Sequence, residues 1–143
     1  MVDTLTHLQG LVSATYTPMH SDSTINLAVI EDQANFMSEH GVSGVFICGT
    51  TGEGASLTVE ERKAIAQRWL ESAPKELKVI VHVGHTSVED CKTLSRHAQK
   101  IGAWAIGMMA PYFFKPYNIN ELVSFCKEVA SSAPDLPFYY YHM

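Results

Sequence analysis

The sequence lacks the features that mark several large classes of protein. No apolar run approaches the roughly 18 residues that a membrane-spanning helix needs. The first ten residues, MVDTLTHLQG, have neither the basic start nor the apolar stretch of a signal peptide. Positive charge is also scarce, since 10 Lys and Arg stand against 15 Asp and Glu and give a net charge of -5. We therefore expect neither nucleic acid nor a membrane as a partner.

Cysteine is rare, and the glycine-rich motifs of nucleotide-binding proteins are missing. Cys48, Cys91 and Cys126 are far apart in the sequence, and their odd number speaks against a framework of disulfides. A reducing compartment, the cytoplasm, is therefore the expected location. Neither G-x-G-x-x-G nor G-x-x-x-x-G-K-[ST] occurs, which excludes the dinucleotide fingerprint and the P-loop.

The sequence does contain a regular alternation between short apolar runs typical of strands and segments whose apolar residues recur at helical spacing. Its 143 residues, 46% hydrophobic and 17% charged, have the size and composition of one globular domain. Five short, continuously apolar runs predict strands, and four patterns with apolar residues at helical spacing lie between them. The predicted strands cover residues 11–16, 45–48, 79–83, 105–109 and 137–142. The expected N-caps of the four helices are Asn26, Thr58, Ser87 and Asn118.

The rhythm of strands and helices predicts an α/β fold with a parallel sheet. Each strand and its helix take about thirty residues, the length of a βαβ crossover. The strands are apolar on both faces, as expected where helices cover a parallel sheet. A five-stranded doubly wound sheet would nearly fit the length. A (β/α)8 barrel needs about 250 residues, so this chain would be little more than its first half. The pattern by itself leaves both architectures open.

One turn has the composition of an anion-binding site. Gly49-Thr50-Thr51-Gly52-Glu53-Gly54 directly follows the second predicted strand. Glycines let the backbone approach a ligand closely, and successive N–H groups with two hydroxyls can hold a carboxylate or a phosphate. A plain connection between a strand and a helix can have the same composition. The turn alone therefore does not decide the function.

Residues at the other predicted strand ends make this turn part of a larger pattern. In chain order the pattern consists of Thr15-x-Thr17-Pro18, Gly44-Val-Phe-Ile-Cys-Gly-Thr-Thr-Gly-Glu53, Leu57-Thr58-x-Glu60-Glu61-Arg62, His82-Val83-Gly84, Ala110-Pro111-Tyr112 and Tyr139-Tyr140-Tyr141-His142. Together these segments resemble the pyruvate-dependent lyase and synthase family that includes N-acetylneuraminate lyase and dihydrodipicolinate synthase. The resemblance covers nearly the whole chain.

Two segments resemble the N-acetylneuraminate lyase branch of that family in particular. They are Ile80-Val-His-Val-Gly84 and Pro137-Phe-Tyr-Tyr-Tyr-His142. The synthase branch usually has an asparagine where this chain has His142. The activity implied by this branch is that of a class I aldolase, which cleaves N-acetylneuraminate (sialic acid) to N-acetylmannosamine and pyruvate.

The family resemblance also implies a fold and a set of residue roles. Family members are (β/α)8 TIM barrels, usually homotetramers, and they need no metal and no dissociable cofactor. Thr50 and Thr51 match the residues that hold the carboxylate of pyruvate or of the 2-keto acid substrate. Tyr141 matches the tyrosine that shuttles protons during carbon–carbon bond cleavage. Since an unassisted phenol keeps its proton at neutral pH, Tyr141 needs a hydrogen-bond partner, and the Thr50 hydroxyl is the expected one.

The lysine that completes this chemistry is missing from the sequence. Family members form a Schiff base with a lysine from the sixth strand, and this chain ends at Met143, before such a strand. Lys115 alone lies in a loop on the ligand side, where an exposed loop charge is the expected role. The remaining lysines fall in predicted helices or at the opposite end of the sheet: Lys63, Lys75, Lys78, Lys92, Lys100 and Lys127.

We therefore expect residues 1–143 to be a single partial TIM-barrel domain, truncated to about the first four and a half βα units and inactive alone. Its open sheet edges predict aggregation or association with another chain. One alternative is a dihydrodipicolinate synthase-like or other pyruvate-dependent aldolase. Another is a noncatalytic truncated form that binds a keto acid or associates with full-length subunits.

Several residues admit simpler interpretations. His82-x-x-His85 has the spacing of metal ligands, but no third ligand follows nearby, so loop polarity or substrate contact is expected and no metal is predicted. Arg62, with Glu60 and Glu61, is expected to lie exposed at the start of a helix. Phe113 stands where many relatives carry a tyrosine of a proton relay, a role that a phenyl ring cannot fill.

Overall fold

A computed structural model describes residues 7–142 and contains one parallel sheet with helices between successive strands. The strands are β1 (Val12–Ala14), β2 (Gly44–Ile47), β3 (Lys78–His82), β4 (Ala105–Met108) and β5 (Phe138–Tyr140). The helices are α1 (Val29–Glu39), α2 (Val59–Ser72), α3 (Val88–Lys100) and α4 (Ile119–Ala130), with a short 3-10 helix at Gly54–Ser56.

The order of the strands separates the two architectures that the sequence left open. The sheet runs β1-β2-β3-β4-β5, with every neighbouring pair parallel. A doubly wound sheet reverses its strand order at a switch point, whereas a (β/α)8 barrel adds strands in chain order. The helices likewise pack in sequence, α1 on α2, α2 on α3 and α3 on α4. The predicted parallel sheet is confirmed, and its order is that of the barrel.

The main core lies between the sheet and this layer of helices. Alternate strand residues such as Val45, Ile47 and Val81 point into it and are at most 2% exposed. Helix α2 contributes Ile65 and Trp69, each 1% exposed. The intervening strand residues point to the opposite face of the sheet, which would be the interior of a barrel.

Three of the four expected helix caps are confirmed. Thr58 forms a full capping box, because its hydroxyl accepts from the Glu61 N–H while the Glu61 carboxylate accepts from the Thr58 N–H. Ser87 and Asn118 accept from the N–H groups three residues ahead. The prediction for Asn26 is wrong. Its N–H pairs with the Pro18 carbonyl in a loop that folds back on itself, and α1 begins at Val29.

The strands and the last helix also differ in detail from the prediction. The edge strands are shorter than expected, so Tyr141 lies one residue beyond β5, although its N–H still donates to the Met108 carbonyl at 2.8 Å. In α4 only Val129 is fully buried, and the apolar residues that share its helical spacing, Leu122, Phe125 and Cys126, are half-buried. Within residues 7–142, no helix has the length and apolar character to cross a membrane.

Candidate functional site

The 49–54 turn lies at the carboxyl end of β2 and has an unusual backbone. Cys48 and Glu53, which flank its centre, have φ angles of 55° and 53°, in the left-handed region that non-glycine residues seldom adopt. Inside the turn the Glu53 N–H donates to the Thr50 carbonyl and the Gly54 N–H donates to the Gly49 carbonyl, both at 3.1 Å. The backbone therefore closes on itself, with Thr50 exposed and Thr51 half-buried.

Two glycines of the turn are required by close backbone contacts. A Cβ atom on Gly54 would lie 1.8 Å from the Cys48 carbonyl oxygen, so no other residue fits there without moving the chain. A Cβ on Gly52 would lie 3.0 Å from both the Cys48 nitrogen and the Thr15 oxygen. The Thr17 hydroxyl donates to the Gly52 carbonyl at 2.6 Å and ties the β1 end to the turn.

The structure brings Thr50 and Tyr141 together from opposite ends of the chain. The Thr50 Oγ1 atom lies 3.5 Å from the Tyr141 hydroxyl oxygen, at the outer limit of a hydrogen bond. Thr51 is half-buried in the same turn. Parallel strands end at one edge of the sheet, which explains how residues 91 positions apart can meet. The three residues suggested by the family resemblance therefore lie in one region.

An aromatic cluster lies beneath this pair on the inner face of the sheet. The Phe46 ring packs edge-on against both His82 and Tyr141, with centroid separations of 5.6 Å in each case. The rings of His82 and Tyr141 are nearly perpendicular, 6.4 Å apart. Gly107 makes room for Phe46, because a Cβ there would lie 2.9 Å from the ring. Packing against Phe46 thus restricts where the Tyr141 ring can lie.

Two cavities open on either side of the Thr50–Tyr141 contact. One of about 290 Å³ is lined by Thr50, His82 and the residues of the following 3-10 helix. The other, of about 570 Å³, is lined by Tyr141, Lys115 and the loop after β4. Met109 and Tyr112 line both. Together they offer space for a small ligand beside the two hydroxyl groups.

Arg62 was expected at the surface, and that expectation is wrong. Its side chain is only 1% exposed, and its guanidinium donates to the carbonyls of His82 at 2.6 Å and of Gly84 at 2.9 Å. No carboxylate in the described part of the chain lies within ion-pair distance of it. Burial lowers the pKa of Arg62 below its ordinary value. The sequence held a signal for this position, since Arg62 shares the helical spacing of Ile65, Ala66 and Trp69.

His82 is buried as well, at 4% exposure. Its Nδ1 atom lies 3.0 Å from the Cys48 carbonyl oxygen. Burial first, and the nearby charge of Arg62 second, lower the pKa of His82 to about 4. His85 faces elsewhere, where its Nδ1 accepts from the Ser87 N–H at 3.0 Å. Among residues 7–142 no three His, Cys, Asp or Glu side chains are grouped so that they could hold a metal ion.

The lysines lie where the sequence pattern placed them. Lys63, Lys92, Lys100 and Lys127 belong to the helices, and Lys75 and Lys78 precede or begin β3 at the far end of the sheet. Lys115 is exposed in the loop after β4 and lines the larger cavity. It is therefore the one lysine of the described chain that borders the candidate site.

Comparisons with known proteins agree with this geometry. The model of the dihydrodipicolinate synthetase family matches residues 7–143. N-acetylneuraminate lyase A of Xenopus laevis is 49% identical over 138 residues, which are 95% of this chain and 45% of that protein. N-acetylneuraminate lyase of Homo sapiens is 47% identical over 95% of this chain and 43% of that protein.

A solved structure shows the same arrangement of strands and helices. Proteus mirabilis N-acetylneuraminate lyase superposes with a TM-score of 0.92 at 42% sequence identity, over 94% of this chain and 46% of that one. The chain thus spans somewhat less than half the length of the relatives it matches.

Proposed function

The chain belongs to the dihydrodipicolinate synthetase family, and from that membership we propose that it carries the carboxylate-binding and proton-transfer part of a Schiff-base aldolase. The proposed reaction is cleavage of N-acetylneuraminate to N-acetylmannosamine and pyruvate, as the names of the similar proteins suggest. The observation that carries this proposal is the 3.5 Å separation of the Thr50 and Tyr141 hydroxyl oxygens at the carboxyl edge of the sheet.

Each site residue has a role that its chemistry can fill. The hydroxyls and backbone N–H groups of Thr50 and Thr51 hold the substrate carboxylate and so orient the ketone carbon. A lysine outside the described residues forms the imine. Once protonated, that imine accepts the electron pair of the neighbouring carbon–carbon bond as it breaks. Tyr141, hydrogen-bonded to Thr50, shuttles the proton of the substrate hydroxyl in the same step: its oxygen accepts that proton while its own phenolic proton passes to the substrate carboxylate held by the turn. The chemistry uses no metal and no dissociable cofactor.

Pyruvate binding tests the assignment of the turn. The purified chain is expected to bind pyruvate, and Thr50→Val is expected to weaken binding at least tenfold, because a hydrogen bond to a carboxylate contributes about 1.5–3 kcal/mol. Tyr117→Phe is the matched control, since Tyr117 is 92% exposed in a loop. Calorimetric titration measures both. The assignment fails if the wild-type chain does not bind pyruvate, or if Thr50→Val binds it as tightly.

Borohydride trapping tests the position of the Schiff-base lysine. When the chain is mixed with pyruvate and reduced, mass spectrometry is expected to find no stoichiometric adduct, because Lys115 is the one described lysine bordering the site and it lies in an exposed loop. An adduct that disappears in Lys115→Arg would overturn this. Pyruvate release from N-acetylneuraminate, by a protein that carries this sequence and the Schiff-base lysine, separates the lyase from a dihydrodipicolinate synthase-like enzyme.

The remaining parts of the proposal concern the molecule as a whole. We propose that residues 1–143 belong to one TIM-barrel domain, that the protein assembles as a homotetramer and that it resides in the cytoplasm. Exposed aromatic rings in the loop after β4, Phe113 and Phe114, support an association surface there. The three cysteines are all free, as expected in a reducing compartment. Sedimentation of the chain and its localisation in cells test these points.

A further inference from the structure

We propose that His82 is a positioning residue that holds the Cys48 backbone in its left-handed conformation and thereby fixes the 49–54 turn. This inference rests on the proposed function, because that turn is the one assigned there to the substrate carboxylate. His82 itself lies on β3 and acts through the peptide group that precedes the threonines.

His82 acts on the backbone of the turn through the carbonyl group of Cys48. A φ of 55° is costly for cysteine and persists only where the surroundings enforce it. Two contacts restrict the carbonyl oxygen. His82 Nδ1 lies 3.0 Å from it, and the Gly54 backbone passes so close that a Cβ there would be at 1.8 Å. Gly54 leaves room for the left-handed conformation of Cys48, and the hydrogen bond from His82 stabilises that conformation.

The shorter of two contacts at Nδ1 assigns the proton of the His82 ring in this proposal. A carbonyl oxygen can only accept, so Nδ1–H donates to Cys48, and Nε2 carries the lone pair. Arg62 Nη2 lies 2.6 Å from the His82 carbonyl oxygen and 3.4 Å from the same Nδ1; the longer contact would need Nδ1 unprotonated, and the shorter contact to Cys48 assigns the proton to Nδ1 in this proposal. Nε2 has no hydrogen-bond partner within the described residues. His82 is therefore a neutral imidazole with a single donor, and that donor is directed at Cys48.

The consequence for the site follows from chain connectivity. Cys48 is separated from Thr50 by Gly49 alone, so a rotation about the Cys48 backbone would move the Thr50 hydroxyl away from its position 3.5 Å from Tyr141. His82 also contacts Phe46, whose ring packs against Tyr141. One buried side chain thus acts on both halves of the candidate site.

Hydrogen exchange of the turn tests this role directly. The Glu53 and Gly54 amides are bonded inside the turn and report whether it stays closed. In His82→Leu, which has no donor, their exchange is expected to accelerate at least tenfold while β3 amides such as that of Val81 change less than threefold. His82→Asn places an amide N–H near the position of Nδ1 and is expected to restore slow exchange. Turn amides as slow in His82→Leu as in the wild type would overturn the inference, as would equal acceleration across the whole chain.

Two further measurements keep the test decisive. If His82→Leu does not fold, nitrogen NMR of the wild-type imidazole decides: a proton on Nδ1 supports the inference, and a proton on Nε2 overturns it. Pyruvate titration then links the turn to its ligand, with binding expected to weaken about tenfold in His82→Leu and less than threefold in His82→Asn. A wild-type chain that binds no pyruvate would contradict the proposed function. The exchange data would still decide the role of His82 in that case.

Discussion

The 49–54 turn and Tyr141 face each other across the candidate site, yet the structure holds them in different ways. The turn is held by the segment that follows β1, by β3 and by α2, whose side chains Thr17, His82 and Arg62 contact it or its neighbours. Tyr141 lies beyond the last residue of an edge strand, where its backbone pairs with β4 alone. One half of the site is therefore built into the core, and the other is fixed from one side.

The surrounding surfaces show the same contrast. Around the turn, Val45, Ile47 and Val81 are at most 2% exposed. Near Tyr141, Tyr140 is 42% exposed, and Val123 and Ile119 on α4 are 56% and 67% exposed. A mainly apolar groove of about 450 Å³ runs between α4 and β5. The difference shows that the packing which orders the turn is present within residues 7–142, whereas the Tyr141 side has apolar surface that these residues do not cover.

Of the changes predicted here, removal of the Arg62 side chain is expected to destabilise the enclosed half of the candidate site most. Arg62→Ala leaves two buried carbonyls, those of His82 and Gly84, without their donors, and it opens a cavity beside Cys48. We expect a loss of about 3 to 5 kcal/mol in the free energy of unfolding. Urea denaturation measures it. The control is Arg68→Ala, which removes an exposed ion pair to Glu31 and is expected to cost less than about 1 kcal/mol. Equal losses in the two variants would contradict the assigned role of Arg62.

Acid is expected to weaken the same half to a somewhat smaller extent. The pKa of His82 is about 4 in the folded chain against 6.5 for an ordinary histidine, so the unfolded state binds more protons between these values. Stability should be complete above pH 6.5 and should fall by about 3 kcal/mol as the pH drops toward 4.

Denaturation at several pH values measures this loss, and His82→Asn isolates the histidine, because asparagine does not titrate. The exposed carboxylates Asp22 and Glu61, whose pKa values are lowered by hydrogen bonds to Thr24 and Thr58, also favour unfolding in acid. They remain in both proteins, so the difference between the two pH profiles belongs to His82. Identical profiles would refute the assignment.

The smallest change in stability is expected from the exposed half. Val123→Glu places a charge on the apolar surface of α4 and should alter the free energy of unfolding by less than about 0.5 kcal/mol. It should nevertheless reduce association of the purified chain, which sedimentation velocity measures. Ser124→Glu, at an exposed polar position next along the helix, is the matched control. A wild-type chain that is monodisperse and melts cooperatively as a monomer would refute association through the apolar surface of α4.

Local sequence patterns were sufficient for most of the fold. The N-cap residues, the apolar runs and the thirty-residue period predicted the elements, because they depend on neighbours within a few residues. Where a loop folded back on itself, as at Asn26, the local signal failed, since the Asn26 N–H was taken by Pro18 across the loop. The family resemblance supplied Thr50, Thr51 and Tyr141, which no spacing rule relates to one another.

By itself, then, the sequence determined the alternation of strands and helices, the position of the glycine-rich turn and the residues to examine. Only the tertiary structure decided that the strands follow one another in barrel order, that Arg62 is buried, and that the His82 ring lies 3.0 Å from the Cys48 carbonyl oxygen. The reason is physical. Propensity and periodicity act along the chain, whereas strand order, burial of a charge and the pairing of a backbone carbonyl depend on groups brought together from distant positions.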